Sequence, residues 1–477
     1  MGRTMLRSLA AFVAVLAIAA VVQNASAASA TDQIPVSYNL KVTIDPVPGD
    51  IAVRGEIVVP LKSQDAREIV FGLHETFAIT RLTVNGHKAD FRFQSGDYTP
   101  LNPATRDVVV RLPSGIPQNG KRTVKLGIDY SGHLRELPEF GSVPWGEKAM
   151  DDQVNARLVE LANYSSWYPQ FFPFSYPLRI AMEVSLPQGW IAVCSGKKVD
   201  ERAKEGRAVT RWSSPKDFDI VISAAPNYRL TSANLPDGSI AIYSTQMPEA
   251  LVEREAQELT AVMTLFTSKL GETTIPGGVV RHVYSPMRKG QGRAGIARPG
   301  LIVTSEGRAL EALAADSKSS LLQDIAHEIG HFWWNFGAGQ GDWINEAFAE
   351  YFSAVAVEKV VSDEQFESVL ERYRQQVRSL PADTPPLASV PFEGKYFVVR
   401  YFKGALMVDF LRRSLGDEKF FQSAHAFFEQ YRGKSIGTAE FRGFWRERMG
   451  EHTAAFDLWL DTGGGLPTEG EGNLKAE

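Results

Sequence analysis

The first half of the chain alternates apolar and polar residues over short stretches. Pro, Gly, Asn or Asp residues separate these stretches, which lie between residues 31 and 230. They read VSYNLKVTIDP, IAVRGEIVVPL, AITRLTVNG, RDVVVRLP, RTVKLGIDYSG and LRIAMEVSLP. Alternation with a period of two is typical of strands that bury one face. The pattern therefore predicts an antiparallel β domain, a sandwich or saddle, over residues 31–230.

In the second half, apolar residues recur three and four positions apart, which is helical spacing. The stretches that show it are ALVEREAQELTAVMTLFTSKL, SSLLQDIAHEIGHFWWNF, EQFESVLERYRQQVRSL, FKGALMVDFLRRSLG and FFQSAHAFFEQYRG. We therefore expect a mainly helical domain over residues 231–462, with a few strands near 239–244 and 278–304. Residues 463–477 are Gly-rich and acidic, and they are predicted to form a flexible tail because they cannot bury a core.

Length and composition agree with an α+β protein of more than one domain. The chain has 477 residues, which exceeds the size at which one core usually keeps growing. Its net charge is -5 at pH 7, and no long basic run is present, so nucleic-acid binding is not expected. Cys194 is the only cysteine, so the fold must rest on core packing and on any bound metal.

The N-terminus has the pattern of a secretory signal peptide over residues 1–30. Arg3 and Arg7 precede the apolar run LAAFVAVLAIAAVV, and small residues follow in NASAASA. An uncleaved membrane anchor is the alternative, but the apolar run is short for a span. The pattern predicts a secreted or periplasmic protein without a membrane span after removal of the signal.

The stretch HEIGH at residues 327–331 contains a candidate metal site. On a helix, His327 and His331 project from the same face and can reach one metal ion. Glu328 lies one step round the helix, where a carboxylate can take a proton from a water molecule at the metal. The alternative is an ordinary amphipathic helix that contains two hydrogen-bonded histidines.

A second helix is predicted directly after the first. The glycines of FGAGQG should end the first helix, and Asp342 is a suitable cap for a helix that begins with WINEAFAEYF. Glu346 and Glu350 share one face of this helix. One of them can be a third ligand, and the other can accept a hydrogen bond from a ligand histidine. Three protein ligands leave a position open for water, as in catalytic zinc sites.

These motifs resemble the aminopeptidase N family of gluzincin zinc peptidases. WINEAFAEYF is similar to the family's second zinc helix, and the resemblance implies that Glu346 is the third ligand of one Zn²⁺ per chain. The loop after His331 is shorter than in the family, whose spacing would fall on Glu350 instead. The local motif favours Glu346, since a shortened loop does not move the helices. Glu350 then becomes the hydrogen-bond partner of a ligand histidine.

Two further stretches extend the resemblance to catalysis and substrate binding. RYFKGALMVDF is similar to the family helix whose tyrosine donates a hydrogen bond to the oxyanion, which implies this role for Tyr401. RAGIARPGLIV resembles the strand that lines the substrate cleft and places Gly295 on it. Ala297 stands where the family has the glutamate that binds the substrate amine. Glu160, before Pro169, matches a second amine-binding position, although a solvated strand face is the alternative.

The resemblance implies a β-saddle domain followed by a thermolysin-like helical domain that hydrolyses peptide or protein substrates. We expect an exported zinc metallopeptidase with aminopeptidase-like action. Because Ala297 replaces the amine-binding glutamate, an endopeptidase or a peptidase of unusual specificity is the first alternative. A peptide-binding module without catalysis is the second alternative. The oligomeric state stays open.

Overall fold

The computed structural model describes most of the chain after residue 33. The described ranges are 34–61, 66–95, 104–113, 123–134, 152–171, 177–286, 295–314, 318–336, 341–392 and 394–467. Residues from Ile34 onward form one compact unit. The predicted signal peptide, residues 1–30, lies outside the described ranges. Within those ranges, no helix combines the length and the apolar character that a membrane span requires.

Three β-sheets form from the strands that precede residue 229. These strands are β1 (Val36–Asp45), β2 (Asp50–Pro60), β3 (Glu68–His74), β4 (Ala78–Val84), β5 (His87–Lys88), β6 (Phe91–Ser95), β7 (Thr105–Arg111), β8 (Thr123–His133), β9 (Gln153–Asn155), β10 (Leu158–Leu161), β11 (Leu178–Pro187), β12 (Ile191–Cys194), β13 (Lys197–Lys204), β14 (Arg207–Asp217) and β15 (Ile222–Ala225). The sheets have eight strands (β13-β14-β11-β1-β2-β8-β4-β5), four strands (β12-β15-β10-β9) and three strands (β3-β7-β6). All six stretches of alternating residues form strands, so that part of the prediction is confirmed.

The largest sheet is antiparallel except at one pair of neighbouring strands. β1 pairs antiparallel with β2 but parallel with β11. Between β2 and β11 the chain passes through strands of the two smaller sheets before it returns to the other side of β1. A long excursion of this kind is what parallel neighbours require, and a local alternation pattern does not reveal it.

A fourth sheet opens the second half of the chain. Its strands are β16 (Arg229–Leu235), β17 (Gly238–Ser244), β18 (Val279–Ser285), β19 (Gly295–Arg298) and β20 (Leu301–Ser305), in the order β16-β17-β18-β20-β19. The strands expected near 239–244 and 278–304 are therefore present. The predicted division between residues 230 and 231 falls inside β16, because Arg229–Leu235 pairs with β17.

Helices make up most of the remaining chain. They are α1 (Glu249–Leu270), α2 (Glu306–Ala314), α3 (Lys318–Gly330), α4 (Asp342–Val360), α5 (Asp363–Arg378), α6 (Gly404–Leu415), α7 (Asp417–Tyr431), α8 (Thr438–Met449) and α9 (Thr453–Asp461). A π-helical turn, Val399–Lys403, leads directly into α6. Short 3₁₀ turns occur at Asn163–Ser165, Pro276–Gly278, Leu387–Ser389, Gly394–Tyr396 and Gly450–His452. The expected β domain followed by a mainly helical domain is confirmed.

Three groups of buried apolar residues hold these layers together. One fills the N-terminal sheets, and a second fills the space among the helices and part of the fourth sheet. A third, smaller group joins the four-stranded sheet to β19 and its neighbours through Ala162, Val193, Val221 and Ile296. The strand predicted to line the substrate cleft is therefore supported from behind by the N-terminal half.

The first part of the predicted tail is packed, which corrects the expectation of a flexible segment from residue 463. Lys403 Nζ donates hydrogen bonds to the carbonyl oxygens of Thr462 and Gly464, at 2.7 and 3.0 Å. Gly464 N–H donates to Thr384 O at 3.0 Å. The ordering arises because a buried ammonium group needs acceptors, and these carbonyls supply them. Residues 468–477 lie outside the described ranges.

Candidate active site

The predicted metal ligands lie on α3, on the turn that follows it, and on α4. α3 ends at Gly330, earlier than the predicted end at the glycines of FGAGQG, because Phe332 N–H turns back to the carbonyl of Ile329. His331 therefore lies in the turn that follows the helix. Residues 337–340 of the connecting loop lie outside the described ranges, and α4 begins at Asp342.

Asp342 does not cap α4, contrary to the prediction. It is the first residue of the helix, and Gly341 occupies the cap position without a side-chain hydrogen bond. The Asp342 carboxylate instead accepts a hydrogen bond from the guanidinium of Arg400. A buried cation is a stronger partner for a carboxylate than a backbone N–H group is, so tertiary structure overrides the local capping preference.

The side chains of His327, His331 and Glu346 converge on one point. The two imidazole Nε2 atoms lie 3.2 Å apart. Glu346 Oε2 lies 3.3 Å from His327 Nε2 and 3.5 Å from His331 Nε2. Tetrahedral zinc with ligand distances of about 2.0–2.2 Å places its ligand atoms about 3.3–3.6 Å apart. The three side chains therefore have the spacing of a zinc ligand set, and they are a group that could hold a metal ion.

The hydrogen bonds of the two histidines direct their lone pairs to the same point. His327 Nδ1 lies 2.8 Å from Glu350 Oε2, and His331 Nδ1 lies 3.1 Å from Trp334 O. Both partners are acceptors, so each imidazole carries a hydrogen on Nδ1 and, in its neutral form, presents a lone pair at Nε2. Glu346 Oε2 makes no well-oriented hydrogen bond within the described residues. Three acceptor atoms that converge on one point need a cation between them. The two histidines and Glu346 therefore fit a metal ion.

Electrostatics favour positive charge at this point. Burial would lower the pKa of His327, but Glu346 and Glu350 hold that pKa well above its usual range. Burial acts against Glu346 as well, yet the nearby histidines keep the pKa of its carboxyl well below its usual range. The carboxylate of Glu346 is therefore ionised at neutral pH and can act as a metal ligand.

Glu350 lies one turn after Glu346 and is hydrogen-bonded to His327, a predicted ligand, on the side of the ring opposite to Nε2. Its Oε2 atom accepts the hydrogen bond from His327, and its Oε1 atom accepts hydrogen bonds from Tyr373 OH and Gln323 Nε2. A carboxylate held by three donors cannot rotate freely. It therefore fixes the orientation of His327, as outer partners of metal-bound histidines do.

Glu328 faces the strand that is predicted to line the substrate cleft. A Cβ atom added to Gly295 would lie 2.2 Å from Glu328 Oε1, so any side chain at this position on β19 would have to displace the Glu328 carboxylate. The side chain of Glu328 is largely buried. Its carboxylate thus lies between α3, which carries His327 and ends just before His331, and the strand predicted to line the cleft.

Tyr401 packs directly on His327, a predicted metal ligand. Its ring lies parallel to the ring of His327, with 5.5 Å between centroids and 8° between planes. Burial and the neighbouring Glu346 raise the pKa of Tyr401 well above its usual range. The phenol therefore keeps its proton at neutral pH and can donate it in a hydrogen bond.

The three predicted substrate-binding residues occupy neighbouring sheets. Gly295 and Ala297 lie on β19, and Glu160 lies on β10 with its side chain fully buried. Glu160 Oε2 accepts a hydrogen bond from Ser223 Oγ at 3.0 Å. Glu160 therefore does not lie on a solvated strand face. Its role as an amine anchor stays a prediction.

Two residues near the convergence point were not predicted from the sequence. Asn345 Oδ1 accepts a hydrogen bond from Phe336 N–H at 2.7 Å and joins α4 to the turn after α3. Arg400, which precedes Tyr401, binds Asp342 and lies 4.0 Å from Glu346 Oε1. Asn345 stands beside Glu346 in the quoted motif, so its position was a usable signal. The pairing of Arg400 with Asp342 had no local signal.

One segment of the chain matches the model of a known protein family. Residues 295–459 match the Peptidase family M1 domain. Aminopeptidase N of Lactococcus lactis subsp. lactis is 26% identical over 171 residues, which cover 32% of this chain and 20% of that protein. The match therefore spans only about a fifth of that relative.

The fold is shared with solved structures over nearly the whole chain. A crystal structure of a mutant M1 zinc metallopeptidase from Deinococcus radiodurans has a TM-score of 0.68 and 19% identity, and covers 91% of this chain and 96% of its own. Yeast LTA4 hydrolase in complex with bestatin has a TM-score of 0.63 and 15% identity, with coverage of 92% and 69%. The chain thus carries an M1-family domain in the fold of M1 zinc metallopeptidases, and the resemblance to the aminopeptidase N family of gluzincins is confirmed.

Proposed function

We propose that the chain is a zinc-dependent peptidase with aminopeptidase-like action. The convergence of His327, His331 and Glu346 carries this proposal, because three lone-pair donors, one buried and two partly buried, lie at the spacing of a zinc ligand set. The family match and the positions of Glu328 and Tyr401 support it further. One Zn²⁺ per chain is the proposed cofactor.

The side chains around the convergence point suit hydrolysis of a peptide bond. When bound, zinc would supply Lewis acidity to the scissile carbonyl and to the attacking water. Glu328 takes a proton from the attacking water while the oxygen of that water forms a bond to the carbonyl carbon. Tyr401 donates a hydrogen bond to the carbonyl oxygen as negative charge develops there. Glu328 then gives the proton to the leaving nitrogen as the carbon–nitrogen bond breaks.

Replacement of the proposed base tests the mechanism directly. Glu328→Gln should keep zinc near one equivalent, because Glu328 is not a ligand in this proposal, and should lose peptide hydrolysis by a factor of about 10² or more. His331→Ala should lose the metal itself. Metal content by atomic spectrometry and hydrolysis of a peptide mixture are measured together. Unchanged hydrolysis by Glu328→Gln rules the mechanism out, and a wild-type chain that binds zinc but hydrolyses no peptide is a binding module.

An endopeptidase is the second candidate, and two observations favour it. Ala297 offers no carboxylate to a substrate amine, and the carboxylate of Glu160 is buried against Ser223. A free-amine peptide and its N-acetylated twin distinguish the candidates. A strong preference for the free amine that disappears in Glu160→Gln supports aminopeptidase action. Equal rates for the two peptides support the endopeptidase.

Export is proposed from the sequence of residues 1–30 alone. Expression of the full chain in a Gram-negative host, followed by N-terminal sequencing of the product, tests it. A mature chain that begins shortly after Ala27 or Ala30 supports secretion or transfer to the periplasm. An intact N-terminus in the cytosolic fraction contradicts it.

A further inference from the structure

The π-helical turn Val399–Lys403 directs two consecutive side chains toward the metal site. Tyr401 stacks on His327, and Arg400, which is largely buried, binds the carboxylate of Asp342. In a regular α-helix, consecutive residues point about 100° apart. The wider π turn is a common way to bring side chains to a functional site.

The two oxygen atoms of Glu346 face different partners. Oε2 lies 3.3 and 3.5 Å from the Nε2 atoms of the two histidines. Oε1 lies 4.0 Å from Arg400 Nη2. Glu346 therefore presents one oxygen to the metal position and the other to a guanidinium group.

Arg400 is itself held in place from two sides. Its Nη2 atom donates a hydrogen bond to Asp342 Oδ2, and its guanidinium lies over the ring of Phe392 at 4.7 Å from the ring centroid. Asp342 opens α4, so the ion pair ties the π turn to the helix that carries Glu346. A planar guanidinium fixed by an acid and a ring has little freedom to move.

We propose that Arg400, anchored by Asp342, is a positioning residue that orients Glu346 so that Oε2 alone serves as the metal ligand. This inference rests on the proposed zinc site and assigns a role to residues outside the ligand set. It predicts that loss of Arg400 leaves the Glu346 carboxylate free to rotate, which weakens metal binding.

The direction in which zinc affinity changes when Arg400 is removed distinguishes positioning of Glu346 from charge repulsion. A cation near the site repels Zn²⁺, so if Arg400 acted only through its charge, its removal would tighten zinc binding. If Arg400 positions Glu346, its removal should weaken zinc binding about 10- to 100-fold, as loss of an outer partner of a ligand does. The two roles therefore predict opposite shifts of the zinc dissociation constant.

The experiment measures zinc affinity of the metal-depleted full chain by competition with a chromophoric chelator. Arg400→Gln is expected to bind zinc about 10- to 100-fold more weakly, and Arg400→Lys, which keeps the charge but not the planar group, is expected to lie between it and wild type. Asp342→Asn, which removes the anchor, should shift the affinity in the same direction. Arg412→Gln is the matched control, because Arg412 is also largely buried and pairs with Glu358 and Asp417 away from the site.

The outcomes separate this inference from the proposed function. If the wild-type chain binds no zinc, the proposed function fails. If wild type binds zinc and Arg400→Gln binds it equally or more tightly, only the positioning role is overturned. Circular dichroism confirms the fold of each variant, and Arg400→Lys gives the answer if Arg400→Gln does not fold.

Discussion

The ring of Tyr401 lies parallel to that of His327 and also stacks on Phe397, whose centroid is 4.2 Å from that of Tyr401. These contacts restrict rotation of the phenol. Its hydroxyl is thus oriented before a substrate arrives. Preorganised donors of this kind contribute strongly to catalysis because they need no rearrangement as charge develops.

Tyr401→Phe should therefore lower kcat by about 10²- to 10³-fold while it leaves the zinc content and the fold unchanged. The phenylalanine ring keeps the stacking and loses only the hydroxyl. Steady-state hydrolysis of a short peptide, with zinc content measured on the same sample, checks this. Tyr396→Phe serves as a neighbouring control. A wild-type kcat for Tyr401→Phe contradicts the assigned role.

Glu350→Gln should weaken zinc binding about 10-fold, because a neutral amide makes His327 a less basic ligand than a carboxylate does. The hydrogen bond from His327 Nδ1 to position 350 can persist, so the fold should be retained. Chelator competition measures the change. Glu371→Gln, on the surface of α5, is the matched control. Unaltered zinc affinity in Glu350→Gln shows that Glu350 has no part in metal binding.

Gly295→Ala should reduce activity more than stability. The new methyl group would lie 2.2 Å from Glu328 Oε1 and must displace the carboxylate, which can swing away at little cost to folding. The displaced base no longer reaches the water, so kcat should fall about 10-fold or more while zinc remains bound. Gly443→Ala, where nothing lies within 4 Å of the new atom, is the control and should keep full activity. If activity falls only because a matching fraction of the Gly295→Ala protein is unfolded, this explanation is wrong.

Lys403 should make the free energy of unfolding depend on pH in the alkaline range. Burial lowers its pKa from 10.5 to about 8, so above pH 8 the folded chain releases a proton that the unfolded chain still binds. Stability therefore rises with pH between about 8 and 10.5, by roughly 2–3 kcal/mol relative to Lys403→Met, which lacks the titrating group. Urea unfolding of both proteins across this range measures the difference. A pH-independent difference shows that Lys403 titrates normally.

The strands and helices were accessible from sequence because each depends on a local repeat. The alternation in β1 and β2 follows directly from burial of one face, and the pairing of His327 with His331 follows from four-residue spacing. Glu346 could be favoured over Glu350 only through the motif around it. The observed distances fit that assignment.

The remaining features depend on contacts that are distant in sequence. Arg400 and Asp342 are 58 positions apart, and Lys403 reaches Gly464 over 61 positions. A glycine-rich stretch reads as flexible because it cannot bury side chains, yet its backbone carbonyls satisfy a buried ammonium group. The π turn was missed for a similar reason, since the apolar spacing of the stretch around α6 agrees with an ordinary helix.

The apolar seam that includes Ile296 and Val221 has a consequence for how this protein can be divided. The strand beside Glu328 rests on a sheet built from the N-terminal half, and β16 crosses the predicted boundary between the halves. An expression fragment that begins at residue 231 would contain every proposed ligand but would expose this seam to water. The helical half is therefore not a portable module, and genetic exchange or protein engineering that keeps the site intact must transfer both halves together.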